Sequence, residues 1–402
     1  VKSSRYGSLT FTEESWCTMQ GVEISHANAA MRAVLKAYYD FGHSSVEDAL
    51  RKVAAYGKND TFGMDAGPEI TICGELRKYD RGSVVITEEI GAEGNRDDTF
   101  LPDNPHTFRT VFISDPTDRS NQLKAFLAKF PKEMKIRDIF GKPKNIKEWE
   151  KDFGSPASIT GATSAISCIR RGVPIFAVIV NYITQTMAVS CAAGNKLIKL
   201  PDERPDLIDL DYVAAKGKHI TFPSIDGDMK GMQRFVTFLG DTGKVGYKEN
   251  FVDSGLMSSE AMDEFLHYGK PGGPSRALYL SSLQPRSTPV GFILANGEKI
   301  GEWIHWLSFV QFARSINDDS QPALILYEIF QDRPWTKDGV LMSTPPNYSV
   351  FREYSGKLFI DTSWLLKMRN PSQLRSTLIV APYDNRWAVR VNSQAGYRVI
   401  RF

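Results

Sequence analysis

Cysteine is scarce in this sequence and never paired. Cys17, Cys73, Cys168 and Cys191 lie far apart with no CxxC, and the 6 histidines form no cluster. That pattern excludes a structural zinc site or a disulfide framework, and suits a reducing compartment. No apolar run approaches the roughly 20 residues of a membrane span. The opening stretch, VKSSRYGSLTFTEES, has no apolar signal core. An excess of one charge is missing too: 49 Lys and Arg face 47 Asp and Glu, a net charge of +2. Such balance gives no electrostatic case for nucleic acid. A nucleophile elbow, a P-loop and a dinucleotide fingerprint are all absent, as are internal repeats. These absences give the expectation of a soluble cytoplasmic protein with no membrane and no nucleic-acid partner.

What is present is ordinary globular material. The chain has 402 residues, 42% of them hydrophobic and 24% charged, enough for two cores and hence two domains. The expected division is 1–200 and 201–402, with PDERPD (201–206) near the boundary. Helical spacing runs over 24–40. A second helix over 44–57 starts behind a serine cap, and a third over 65–80 has Asp65 as N-cap. SVVITEEIG (83–91) reads as a strand, 91–107 as a loop, FRTVFIS (108–114) as a strand and 119–130 as a helix. The charged segment 131–152 reads as a solvated excursion. ASITGATSAISCI (157–169), VPIFAVIVNYI (173–183) and QTMAVSCAA (185–193) read as an antiparallel meander. Beyond 201 come strands at 219–225 and 277–283 and helices at 259–269 and 303–316. Residues 376–402 read as two or three antiparallel strands.

One stretch concentrates chemistry: ISDPTDRSNQL, residues 113–123. A turn accounts for Asp and Pro together, but the acids recur in an order that a turn does not need. Asp65 opens a helix, Glu88 and Glu89 close one strand, and Asp115 and Asp118 close the next. Hard cations such as Mg²⁺ take carboxylate, carbonyl and phosphate oxygens. Glu88, Asp115 and Asp118 at neighbouring strand ends, with the Thr117 carbonyl, supply that donor set. The helix that follows begins with unpaired backbone N–H groups, which favour a bound phosphate. Ser120 can hold a water there, and Asp65 can take its proton. A metal-activated water in line with a phosphoester completes a hydrolytic arrangement.

The same order resembles the metal-dependent, lithium-sensitive phosphatase superfamily of inositol monophosphatases, bisphosphate nucleotidases and fructose-1,6-bisphosphatases. Its signature, Asp-Pro-x-Asp-Gly-Ser/Thr after a strand and behind a strand ending in Glu-Glu, reads here as DPTDRS (115–120) and TEEIG (87–91). GKNDTFGMDAGPE (57–69) supplies the upstream lysine, aspartate and glutamate as Lys58, Asp65 and Glu69. The resemblance covers about residues 24 to 200 and fades beyond. It implies a layered α-β-α-β sandwich of the inositol monophosphatase and fructose bisphosphatase type. It further implies that Glu88, Asp115 and the Thr117 carbonyl bind a first Mg²⁺ and that Asp115 and Asp118 share a second. Asp65 and Ser120 would position the attacking water, and the amides of Arg119 and Ser120 would hold the phosphate. Family members often form dimers or tetramers, which leaves a homo-oligomer open.

Two departures stand out. Arg119 occupies the place of the signature's glycine, beside the phosphate. The family's downstream Trp-Asp motif is matched only by GEWIHWLSFVQFA (301–313), which has no Asp. Glu302 can substitute for it, or stand as a solvated residue ahead of an apolar helix. His305 is a weaker substitute, since imidazole suits Mg²⁺ poorly. The expectation is a Mg²⁺-dependent phosphomonoesterase acting on a small sugar, cyclitol or nucleotide phosphate. The alternatives are a catalytically silent homologue that binds a phosphorylated ligand or a protein, and a repurposed site in a specialised pathway.

Overall fold

The computed structural model describes residues 21–54, 61–79, 83–87, 110–154, 157–170, 173–191, 194–202 and 205–219, and thereafter strands only, between 233 and 400. The described residues fall into two compact units, one ending at His219 and one built from the later strands. Helices against predominantly antiparallel sheet make the fold mixed α and β, as expected.

The first unit is a seven-stranded sheet whose strands follow one another in chain order. They are β1 (Val84–Thr87), β2 (Thr110–Asp118), β3 (Thr163–Arg170), β4 (Val173–Asn181), β5 (Thr186–Cys191), β6 (Gly194–Lys199) and β7 (Lys218–His219). Only β1 and β2 run parallel; every later pair is antiparallel, so the meander expected over 157–193 continues through β6 and β7. Helix α1 (Gly21–His43) lies across β3 and β4 and packs on α3 (Gly63–Tyr79). Ala27, Ala30, Ala33 and Ala37 are fully buried, and their small side chains let α1 approach both neighbours closely. Tyr38 and Phe41 from α1 meet Phe140 and Tyr182 in one aromatic cluster. Burying such rings stabilises the unit by roughly 1.5–3 kcal/mol apiece.

Local expectations were corrected by non-local pairing. Helix α2 is Val46–Leu50 rather than 44–57. A serine caps it as expected, and Ser45 and Asp48 together form a capping box. Arg51 is extended, however; the Val53 N–H donates to the Thr61 carbonyl and the Gly63 N–H to the Arg51 carbonyl, so Lys52 pairs with Phe62 and the helix ends. The charged segment 131–152 is not simply solvated. It holds a 3-10 turn (Ile136–Asp138) and helix α5 (Pro143–Phe153), after α4 (Ser120–Leu127). Lys144, Lys147 and Lys151 do face solvent, but Trp149 is fully buried against Phe126 and Phe153. Residues 157–160 form a short helix, α6 (Ala157–Thr160), instead of starting the strand. The Glu150 carboxylate accepts the Ala157 N–H, and the Asn181 amide donates to the Ala157 and Ser158 carbonyls. Helix α7 (Leu210–Lys216) follows, capped by Asp209.

The second unit is built from strands β8 (Gln233–Thr237), β9 (Gly269–Pro271), β10 (Val290–Lys299), β11 (Leu324–Phe330), β16 (Arg375–Pro382) and β17 (Gly396–Ile400). They form a six-stranded sheet in the order β17-β11-β16-β10-β8-β9. Two small ribbons pair β12 (Thr336–Lys337) with β13 (Val340–Leu341) and β14 (Phe351–Tyr354) with β15 (Lys357–Ile360). The C-terminal strands exist as expected, but they do not pair with each other: β11 lies between them, antiparallel to both. Residues 220–225 of the expected strand at 219–225, and those at 259–268, 277–283 and 303–316, lie outside the described residues. No helix among the described residues is long and apolar enough to cross a membrane.

Candidate metal and phosphate site

The DPTD stretch is part of β2, not a turn after it. Asp115 pairs with Ala165 and Asp118 with Thr163, and the register slips between them. This is a bulge, a device that re-aims side chains at a sheet end. Pro116 suits it, because proline has no N–H to give to the ladder. Three hydrogen bonds fix it. The Thr117 N–H donates to Asp115 Oδ1 (3.1 Å), the Thr117 hydroxyl to the Met64 carbonyl (2.7 Å), and the Tyr182 phenol to the Pro116 carbonyl (2.9 Å). Burial drives the Tyr182 phenol far above its ordinary range. The hydroxyls of Ser164 and Thr117 oppose that rise, and the negative charges of Asp115 and Asp65 add to it. Both carboxylates therefore act on one buried phenol.

Asp65 is not the N-cap of α3. The helix starts two residues earlier, at Gly63, where any Cβ would stand 2.1 Å from the Asp48 carbonyl oxygen. Asp65 is thus the third helical residue, and its Oδ2 accepts the Phe62 N–H at 3.2 Å. It satisfies a helix-start donor from the opposite side of a capping box. Glu69 lies one turn on. Asp65, Glu69 and Asp115 are 7%, 0% and 2% exposed, a concentration of buried carboxylates that is costly without compensating charge or hydrogen bonds. Cys73, a further turn along, has its thiol pushed up to about 12 by burial first and by Glu69 second. It stays a protonated core residue at neutral pH.

Arg119 takes φ 68° and ψ 34°, the left-handed region. Glycine adopts that conformation freely; here a residue with a side chain holds it, at a cost of about 1–2 kcal/mol. Its guanidinium turns to the Thr160 carbonyl (2.8 Å). Thr160 is itself held by Trp149 Nε1 and by the Gly154 carbonyl. Ser120 then opens α4, which has no side-chain cap and no acid in its first turn. An anion at this helix start would meet unshielded amide dipoles. Replacing Arg119 separates the two effects. Arg119→Ala loses the Thr160 bond and keeps the strain, whereas Arg119→Gly loses the bond and relieves it. Chemical denaturation should therefore find the glycine variant about 1 kcal/mol more stable than the alanine variant.

Of the residues singled out from the sequence, Asp65, Glu69, Asp115, Thr117, Asp118, Arg119 and Ser120 are described. The Thr117–Met64 bond brings the start of α3 against the bulge. Lys58, Glu88, Glu89, Glu302 and His305 lie outside the described residues. Strand β1 ends at Thr87, opposite Ser114, so its described end lies beside the residue before Asp115. Among the described residues no three His, Cys, Asp or Glu side chains form a metal-holding group. Sequence reasoning missed Tyr182 and the Thr117 side chain. Nothing local marks Tyr182, but Pro68, four residues after Met64, signals a helical carbonyl in need of another donor.

No family model and no curated protein matches the sequence. Solved structures with a similar chain path include CysQ from Bacteroides thetaiotaomicron, a bacterial member of the inositol monophosphatase family. It shows 12% identity and a TM-score of 0.46 over 91% of this chain and 98% of that one. An inositol monophosphatase from Zymomonas mobilis shows 13% identity and a TM-score of 0.42 over 90% and 94%. An IMPase/NADP phosphatase complexed with Mg²⁺ and phosphate shows 9% identity and a TM-score of 0.38 over 83% and 80%. Similarity this distant transfers no residue role to this chain.

Proposed function

We propose that the chain is a Mg²⁺-dependent phosphomonoesterase acting on a small phosphorylated metabolite. The observation that carries this reading is the β2 bulge. It buries Asp115, orients its carboxylate through the Thr117 N–H, and leads directly into an uncapped helix start. The donors fit Mg²⁺ chemically, because the Asp115 and Asp118 carboxylates and the Thr117 carbonyl are all hard oxygen ligands. Glu88, expected from the sequence just beyond β1, would add a further carboxylate. When bound, the ion would polarise the phosphate and make a water more acidic. The chain's own residues would do the rest. The Arg119 and Ser120 amides would hold the phosphate, the Ser120 hydroxyl would orient the water, and Asp65 would accept a proton. Phosphate release from a panel of sugar, cyclitol and nucleotide monophosphates, followed against Mg²⁺ concentration, tests this. Release from at least one substrate that disappears with chelator is expected, and silence across the panel would overturn it.

A second reading is a silent homologue that binds a phosphorylated ligand or a protein partner. It is favoured by Arg119 at the glycine position of the signature and by GEWIHW in place of a Trp-Asp motif. Ligand binding without turnover in the same panel would support it. A repurposed site would instead show transfer of the phosphoryl or another group to an acceptor other than water.

A further inference from the structure

A hydrogen bond from the Thr117 hydroxyl joins two parts of the candidate site that are 53 residues apart in sequence. Its acceptor is the carbonyl of Met64, the residue next to Asp65. In a regular helix that carbonyl takes its hydrogen bond from the N–H four residues on. Here the fourth residue is Pro68, inside α3, which has no N–H to give and whose ring crowds the same carbonyl. Met64 and Thr117 are 1% and 5% exposed, so water is a poor substitute donor. Thr117 itself lies between Asp115 and Asp118, and its N–H already orients Asp115.

We propose that Thr117 is a positioning residue: by taking the place of the helical donor that Pro68 removes, its hydroxyl locks Asp65 on α3 to the Asp115–Asp118 bulge. The proline creates the vacancy in the helix, and the threonine fills it from the sheet. A helix with a complete set of internal bonds would have no equivalent need for this contact. The role rests on the metal-site reading above, since the lock matters for function only if Asp65 serves the water of an ion held by the Asp115 and Asp118 carboxylates.

The test compares Thr117→Val, Thr117→Ser, Pro68→Ala and the Pro68→Ala/Thr117→Val double variant in the full chain. Mg²⁺ affinity is measured by calorimetry with inorganic phosphate present, and the thermal midpoint is recorded in parallel. Thr117→Val should weaken Mg²⁺ binding about tenfold and lower the midpoint. Thr117→Ser, which keeps the hydroxyl, should restore both. The double variant separates positioning from mere stability. Its Pro68→Ala change returns a helical donor to the Met64 carbonyl, so the midpoint should recover while Mg²⁺ affinity stays low. If affinity recovers together with the midpoint, or if Thr117→Val binds Mg²⁺ as tightly as the wild type, the lock is overturned. A wild-type chain that binds no Mg²⁺ overturns the metal-site reading as well, and so marks the failure as that of the reading rather than of the lock alone.

Discussion

Asp115→Asn should abolish Mg²⁺-dependent phosphate release, lowering kcat/KM by on the order of 10²- to 10³-fold. The substitution is informative because it is nearly isosteric. Asparagine keeps the Oδ1 acceptor that takes the Thr117 N–H, so the bulge and its pairing with Ala165 can persist. What goes is the negative charge at a position only 2% exposed. A neutral amide is a far weaker Mg²⁺ ligand than a carboxylate, and removing a buried charge lightens a desolvation cost. The thermal midpoint should therefore stay near the wild-type value or rise while turnover collapses. Parallel loss of midpoint and turnover would place Asp115 in the fold rather than in the chemistry. Steady-state kinetics and a melting curve on the same sample distinguish the two.

The largest effect on stability is expected away from those acids, at Trp149. Its ring is fully buried, packs edge-on against Phe126 and meets Phe153, and its indole N–H donates to the Thr160 hydroxyl. Trp149→Ala removes that volume and leaves the Thr160 hydroxyl with one partner fewer, at a cost of about 3–5 kcal/mol. For a unit of this size the midpoint should fall by roughly 6–20 °C. Trp149→Phe, which fills most of the space, should recover the greater part and lose mainly the hydrogen bond. The loss should also reach the site, because Thr160 carries the carbonyl that holds Arg119. An alanine variant as stable as the wild type would show that α5 is peripheral to the core.

The sequence made some of this legible and hid the rest for physical reasons. The serine cap revealed the start of α2, because a cap is a local signal. Its early end was hidden, because Arg51 to Val53 pair with Thr61 to Gly63, which are not adjacent in sequence. The two aspartates around Pro116 announced a special corner. That the strand resumes at Asp118 depends on register with Thr163, 45 residues away. Asp65 was identified as a helix-start acid, but not at its position, since Gly63 begins the helix under the Asp48 carbonyl. In α5 the charged side chains outnumber the apolar ones, so the burial of Trp149 could not be read from average polarity. The order β17-β11-β16 shows the same limit in the second unit: strands are local, whereas their neighbours are not.

The measurement that bears most directly on the central claim is a calorimetric titration of Mg²⁺ into the full wild-type chain, with inorganic phosphate present, repeated on Asp115→Asn. The bulge, its oriented carboxylate and the uncapped start of α4 predict saturable Mg²⁺ binding that phosphate tightens and that the asparagine variant loses. No Mg²⁺ binding by the wild type, or equal binding by both proteins, would contradict the account.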